Sequence, residues 1–156
     1  MRRPILTYPD PFLALKAAPV PRVDDRTREL VRDMFETMYD ASGVGLAAPQ
    51  IGVGRRVIVV DVSPVEPGIP PMAIVNPEIV ERRGTVEGTE GCLSVPGVEG
   101  VVARSALVVV RGENERGEPM KFQAGGFLAR ALQHEIDHLD GILFIDRLSA
   151  SAVATK

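Results

Sequence analysis

The sequence has few of the features that would place it in a membrane, on a nucleic acid or in an oxidising compartment. Its 156 residues include one cysteine, Cys92, which has no partner in the chain for a disulfide. No stretch approaches the roughly eighteen consecutive apolar residues of a transmembrane helix, and no apolar signal segment follows the charged N-terminus. The net charge of −3 leaves no basic excess for DNA or an anionic membrane. We therefore expect a cytoplasmic protein that binds neither DNA nor membranes.

Repeats, low-complexity tracts and long flexible linkers are lacking too, and the 13 prolines are scattered among turns. With 45% hydrophobic and 25% charged residues, the composition is that of a globular chain large enough to bury a core. Residues 1–156 are therefore predicted to form a single domain.

Hydrophobic periodicity predicts one helix before and one helix after a series of strands. The first helix runs from Asp25 to Ala41, with Asp24 or Asp25 as its N-cap and Gly43 just beyond its C-terminus. The second spans 125–141 and is closed by Asp140-Gly141. Strand-like runs lie at 55–62, 72–75, 78–83, 98–103, 105–112 and 119–124, with a hairpin turn over 113–117. This order predicts an α+β fold, with antiparallel β-sheets packed around the C-terminal helix.

An apolar connection, VGLAAPQIG (44–52), follows the first helix where a polar loop would be expected. It contains a lone glutamine, Gln50, whose amide has both a donor and an acceptor to satisfy. A loop glutamine ordinarily bonds to nearby backbone, and the local pattern alone indicates no other role.

The most specific motif is H-E-x-x-H, which begins at His134 and contains both histidines of the chain. The spacing puts His134 and His138 on one helical face, where both imidazoles can bind the same metal ion. Glu135 lies about 100° around the helix, so it can act as a general base without ligating the metal. The alternative is a chance pattern on a solvated helix, but the apolar residues around the histidines favour a half-buried site.

A catalytic metal needs a third protein ligand, and Cys92 is the natural candidate. The alternative is that Cys92 is a small buried hydrophobe with an unused thiol. The segment EGCLS (90–94) contains a glycine, so its backbone can approach a metal closely, and the cation would stabilise the thiolate. Asp137 is either an acceptor that supports this site or an ordinary solvated carboxylate.

Three segments together resemble the signature motifs of the bacterial peptide deformylase family: GVGLAAPQIG (43–52), EGCLSVPG (90–97) and QHEIDHLDG (133–141). They occur in the family's order, and the likeness extends through YPDP near the start and LFIDRLS after the last helix. The resemblance implies that Cys92, His134 and His138 hold one divalent ion. Fe(II) is the implied working ion, with Zn(II), Ni(II) and Co(II) as alternatives.

By the same resemblance, the enzyme removes the formyl group from the N-terminal methionine of newly made peptides. Glu135 is the implied acid/base residue, and Gln50 and the backbone N–H of Leu93 would donate to the formyl oxygen. N-formylmethionyl nascent chains are the implied substrate, and the ribosome is a further candidate partner.

Five residues are expected to contact the substrate: Val44, Gly45, Gly91, Phe127 and Ala131. Gly45 would let the peptide backbone pass close by, and the apolar members would line a pocket for the methionine side chain. Phe127 and Ala131 are alternatively ordinary core residues.

Two rival interpretations come from other functional classes. A zinc endoprotease shares the helix motif, but it usually has His or Glu as third ligand and needs a long substrate cleft. A non-catalytic metal-binding or partner-binding domain would keep the ligands, yet it has no need of Glu135 and Gln50.

Overall fold

The computed structural model describes residues 1–148, in which two α-helices enclose seven strands in the order of the chain. The elements are α1 (Asp25–Asp40), β1 (Gly45–Ala47), β2 (Val57–Val60), β3 (Met72–Arg83), β4 (Val86–Cys92), β5 (Val95–Arg104), β6 (Leu107–Glu113), β7 (Pro119–Gly125) and α2 (Gly126–Leu139). Short 3-10 helices lie at Pro11–Ala14, Ala48–Ile51 and Phe144–Arg147. Neither described α-helix combines the length and apolar character that crossing a membrane requires.

The named strands pair in antiparallel fashion and form two sheets within the described residues. One sheet has five strands in the order β1-β2-β3-β6-β7, and β4 and β5 form a separate hairpin. The predicted α+β fold with antiparallel sheets is therefore confirmed.

The five-stranded sheet lies between α1 and α2. In β2, Val57 and Val59 belong to the apolar cluster that contains α1, whereas Ile58 and Val60 belong to the cluster that contains α2. Successive side chains of a strand point to opposite faces, so a fully apolar strand can be buried on both. The sheet thus provides an apolar surface against which α2 packs.

The ends of both helices follow known capping patterns, but one predicted capping residue is wrong. Of the two predicted N-caps, Asp24 and Asp25, the side chain of Asp24 caps α1. Ser42, with φ of 59°, takes the left-handed position beyond α1, and the N–H of Gly43 donates to Met38 O at 2.9 Å. The prediction that Gly43 holds that position is therefore wrong by one residue. Gly141, with φ of 76°, holds the equivalent position after α2, as predicted.

Three strands differ from the predicted pattern. The runs 72–75 and 78–83 form one strand, β3, because the chain passes through a bulge with a register shift between Val75 and Glu78. β1 lies inside the apolar connection and exists through its pairing with β2. β4 is rich in glycine and glutamate, which do not predict a strand, and it is formed by pairing with β5.

Candidate metal centre and active-site cavity

Three side chains converge where the end of β4 meets α2. Cys92 is the last residue of β4, and the ring centroids of His134 and His138 on α2 are 5.0 Å apart. Cys92 Sγ lies 3.3 Å from His138 Nε2, and one ligand atom from each residue lies within 4.8 Å of the other two. A thiol and two imidazoles at this spacing are donors that Zn(II) and similar divalent ions accept. The structure therefore brings the three predicted ligands together, and they fit a metal ion.

Glu90 holds the ring of His134 in place. Its Oε1 lies 2.9 Å from His134 Nδ1, which leaves Nε2 of that ring available to a metal. Burial acts to raise the pKa of Glu90, but hydrogen bonds with Arg104 and His134 outweigh it and lower that pKa to about 2. Burial disfavours protonated His134 too, but hydrogen bonds with Cys92 and Glu90 raise its pKa to about 10. Burial lowers the pKa of His138 well below its usual value, so this ring is neutral. Because a ligand ring must be neutral, a bound metal ion would displace the proton that His134 holds towards Cys92.

A buried network of charged groups joins the β4–β5 hairpin to α2. Arg104 donates to Glu90 at 2.8 and 2.9 Å and to Asp137 at 2.6 Å. Arg130 donates to Glu90 at 2.7 Å, and Arg147 donates to Asp137 at 3.1 Å. Asp137 is 8% exposed and accepts hydrogen bonds from both arginines. It is therefore a buried acceptor that supports the site and not a solvated carboxylate.

Glu90 and Arg104 were not identified from the sequence, because their partners come from segments that are far apart along the chain. The only local signal for Glu90 is its place two residues before Cys92, where a carboxylate can support a histidine ligand.

Glu135 is enclosed beside β1 at the cavity wall and is 5% exposed. Burial raises the pKa of its carboxyl group to about 7. Its Oε1 has no hydrogen-bond partner in residues 1–148. A Cβ at position 45 would lie only 2.5 Å from its Oε2, so the carboxylate requires glycine there. The expected passage of a peptide backbone along Gly45 stays a prediction.

The amide of Gln50 is buried and held at both ends. Its Oε1 accepts from the N–H of Ala47 at 2.9 Å, and its Nε2 donates to Ser94 Oγ at 3.0 Å. The same Nε2 lies 3.7 Å from Cys92 Sγ, beside the candidate metal ligands. The backbone contact expected of an ordinary loop glutamine is therefore present, and it orients the amide nitrogen towards the site. Ser94 is a supporting residue that the sequence did not reveal.

The N-terminal segment crosses behind these groups. The N–H of Leu6 donates to Gln50 O, and the N–H of Tyr8 donates to Ser94 O, each at 2.7 Å. The segment thereby ties the loop that carries Gln50 to the end of β4.

A cavity of about 660 Å³ opens beside the candidate ligands. Its walls include all five residues expected to contact substrate, namely Val44, Gly45, Gly91, Phe127 and Ala131, together with Gln50, Cys92, Leu93, His134 and Glu135. Ala131 is also part of the apolar cluster of α2, and Phe127 packs against it. The core and the cavity-wall interpretations of these two residues therefore both hold.

Known sequences match this chain closely. The family model for polypeptide deformylase matches residues 2–153. A peptide deformylase from Acidobacterium capsulatum is 49% identical over 150 residues, which cover 96% of this chain and 88% of the relative. A peptide deformylase from Halothermothrix orenii is 52% identical over 139 residues, which cover 89% of this chain and 88% of the relative.

Solved structures match the fold as well. The crystal structure of a peptide deformylase from Legionella pneumophila gives a TM-score of 0.90 at 48% identity and covers 97% of this chain and 88% of that one. The enzyme from Thermotoga maritima gives 0.90 at 42% identity, over 96% of this chain and 99% of that one. The likeness therefore extends over most of each structure.

Proposed function

This chain belongs to the polypeptide deformylase family, and we propose that the residues around the cavity between β1, β4 and α2 carry out its reaction. The chain is accordingly a metal-dependent hydrolase that removes the N-formyl group from the methionine of newly made chains. The assignment of the site rests on one observation, which is that Cys92, His134, Glu135 and Gln50 line one cavity and that His138 lies directly beside Cys92 and His134.

Cys92, His134 and His138 would hold one divalent ion. We propose Fe(II) as the working ion, with Zn(II), Ni(II) and Co(II) as alternative occupants, because a thiolate and two imidazoles accept all four. When bound, the ion supplies a Lewis acid that lowers the pKa of a water molecule and polarises the formyl carbonyl group.

Glu135 moves the proton in this mechanism. Its carboxylate accepts a proton from the attacking water as the new C–O bond forms at the formyl carbon. It then delivers this proton to the amine nitrogen as the C–N bond breaks, which releases formate and a free amino terminus. The burial of Glu135 supports this role, because bulk water is kept away from the proton that is transferred.

Gln50 and Leu93 would stabilise the negative charge that develops on the formyl oxygen. Gln50 lines the cavity, and its Nε2 group donates to Ser94 Oγ at 3.0 Å and makes a long second contact to Cys92 Sγ at 3.7 Å. The formyl oxygen, a stronger acceptor, would replace that long contact to sulfur. The backbone N–H of Leu93, the residue after the ligand cysteine, would supply the second donor. Donors fixed in advance stabilise an oxyanion without reorganisation during the reaction.

The methionine side chain would occupy the apolar part of the cavity, lined by Val44, Phe127 and Ala131. Among the described strands, β1 pairs only with β2, and β4 pairs only with β5. Each therefore has a free edge, and an extended peptide can hydrogen-bond to such an edge. Gly45 and Gly91 lie in these two strands and line the cavity, beside the proposed path of the peptide backbone.

We place the enzyme in the cytoplasm, with nascent chains as its substrates and the ribosome as a candidate partner. Residues 1–156 would act as one catalytic domain, and the family match over residues 2–153 supports this extent. Cosedimentation with ribosomes tests the contact.

The central experiment is an assay of anaerobically purified protein on formyl-Met-Ala-Ser, with elemental analysis of the same sample. We expect release of formate and one equivalent of metal per chain. Cleavage of internal peptide bonds would instead support an endoprotease, and metal binding without turnover would support a non-catalytic domain.

A further inference from the structure

Two residues that line the proposed methionine pocket, Val44 and Phe127, are connected outside the cavity by one short segment. This segment is residues 61–66, which follows β2 and which we call the 61–66 turn. Its first residue, Asp61, donates its backbone N–H to Val44 O at 2.8 Å. Its last residue, Glu66, contacts the turn of α2 that carries Phe127. Both lie outside the set of described residues that line the cavity, so they can act on the pocket only by positioning its walls.

Glu66 supplies the N-terminal cap that the sequence of α2 lacks. The N-cap residue, Gly125, has no side chain that could accept a hydrogen bond from the first turn of the helix. Glu66 Oε1 accepts instead from the N–H of Leu128, the third residue of α2, at 3.0 Å. The negative charge of Glu66 also lies at the positive end of the helix dipole, where it is favourable. A side chain 62 residues away in the sequence thus takes the place of an N-cap side chain.

The start of α2 depends on this cap, because its own sequence does little to fix the backbone. The helix is preceded by Gly125 and begins with Gly126, and glycine has more conformational freedom than any other residue. Gly126 has φ of 57°, and a Cβ there would lie 2.5 Å from Glu66 Oε2. The carboxylate is therefore packed directly against the backbone that leads into Phe127.

The 61–66 turn is itself held in place. The N–H groups of Val65 and Glu66 donate to Val62 O at 2.8 and 2.7 Å. Val62 is fully buried in the apolar cluster that contains α2. The carboxylate of Asp61 accepts from the hydroxyl group of Tyr39 on α1 at 2.5 Å. The turn is therefore a fixed support from which Glu66 reaches α2.

We propose that Glu66 is a positioning residue that sets the specificity of the pocket for the methionine side chain. Through its cap on Leu128 it holds Phe127 against that side chain. The inference rests on the proposed function, because it assumes that the methionine occupies the cavity. A substrate that begins with formyl-alanine has too short a side chain to use the contact with Phe127, so its hydrolysis should not depend on Glu66.

Two peptides, formyl-Met-Ala-Ser and formyl-Ala-Ala-Ser, test the proposal on the metal-loaded, full-length enzyme. Glu66→Ala should lower the ratio of their kcat/KM values by about tenfold, which is the effect of one methylene contact in an apolar pocket. The loss should appear mainly as a higher KM for the methionine peptide, because a contact made in both the ground state and the transition state is lost. Partial unfolding would lower turnover of both peptides alike and leave the ratio unchanged.

Two further variants identify the hydrogen bond as the cause. Glu66→Gln keeps an oxygen that can accept from Leu128, so its ratio should stay within about twofold of the parent ratio. Glu29→Ala is the matched control and should leave the ratio unchanged. Glu29 is an exposed glutamate on α1, outside the described residues that line the cavity.

Amide hydrogen exchange reports the cap without any use of activity. In the Zn(II)-loaded protein, the N–H of Leu128 should exchange about tenfold faster in Glu66→Ala than in the parent, and Glu66→Gln should retain most of the protection.

The proposal is overturned if Glu66→Ala keeps the parent ratio within about twofold, or if Glu66→Gln loses as much selectivity as Glu66→Ala. Unchanged exchange of Leu128 in Glu66→Ala would overturn it as well. Failure of the proposed function has a different signature, since the parent enzyme would then hydrolyse neither peptide. That result would refute the specificity claim together with the proposed function.

Discussion

Replacement of Gly45 by alanine should inactivate the enzyme without removing its metal. The added Cβ would lie 2.5 Å from Glu135 Oε2, whereas ordinary van der Waals contact begins at 3.4 Å. The carboxylate would have to retreat by about 0.9 Å, the difference between these two distances. Because β1 is paired with β2 and buried, its backbone has little freedom to move instead.

The size of the effect follows from this displacement. A catalytic group misplaced by about 1 Å can cost about 100-fold in rate, so we expect kcat/KM for formyl-Met-Ala-Ser to fall by about that factor. Overpacking should also lower the free energy of unfolding by about 1–3 kcal/mol. Metal content should not change, because the three atoms nearest to the new methyl group all belong to Glu135, which is not a candidate ligand. Gly54→Ala is the matched control, since its Cβ would meet only Phe12, at an ordinary 3.7 Å.

A double-mutant cycle shows whether the methyl group acts through the carboxylate. If it does, Gly45→Ala should add less than about threefold to the loss caused by Glu135→Gln alone, because both changes remove the same proton transfer. Steady-state kinetics, melting curves and elemental analysis of the three variants provide the data. Retention of more than about a third of the activity by Gly45→Ala, or a full 100-fold further loss in the Glu135→Gln background, would refute the reasoning.

Four further predictions concern the same site. Glu135→Gln should keep its metal and lose about 100-fold or more in kcat, and near-normal turnover would remove Glu135 from the mechanism. Cys92→Ala should lose both metal and activity, because two ligands bind weakly, and stoichiometric metal in that variant would mean that the third ligand lies elsewhere. Ser94→Ala should release the amide of Gln50 and lower kcat/KM by about two- to tenfold, with metal content unchanged; an unaltered kcat/KM would show that Ser94 does not position Gln50. N-acetyl-Met peptides should react far more slowly than N-formyl-Met peptides, and rates within about tenfold would contradict a site crowded around the formyl carbon.

The parts of the fold predicted from the sequence are those set by local periodicity. α1 and α2 have long apolar stripes and strong end signals, so their positions are predicted to within one or two residues. β1 has only three residues, and four of the seven residues of β4 are glycine or glutamate, so neither has a strand pattern of its own. Both strands depend on hydrogen bonds to a partner strand that no local window contains. Pairing also explains why the two predicted runs 72–75 and 78–83 form one strand. β2 pairs with the first part of β3, and β6 pairs with the part beyond the bulge.

In the candidate site, too, residues set by local spacing could be predicted and residues that depend on distant segments could not. His134 and His138 are brought together by the pitch of one helix, so their spacing is visible in the sequence. Ser94 and Arg104 act through Gln50 and Glu90, over separations of 44 and 14 residues. The requirement for glycine at position 45 is also non-local, because it follows from the close approach of a helix to a strand.

The β4–β5 hairpin is joined to α2 twice, once through the candidate metal ligands and once through the salt bridges of Arg104 and Arg130. Loss of the ion would undo the first connection and leave the second in place. Small zinc domains unfold when they lose their metal, because nothing else joins their parts. We therefore expect the chain to stay folded when the ion is lost, so that one ion could replace another without refolding. The supply of metals in the cell, rather than the fold, would then decide which divalent ion occupies the site.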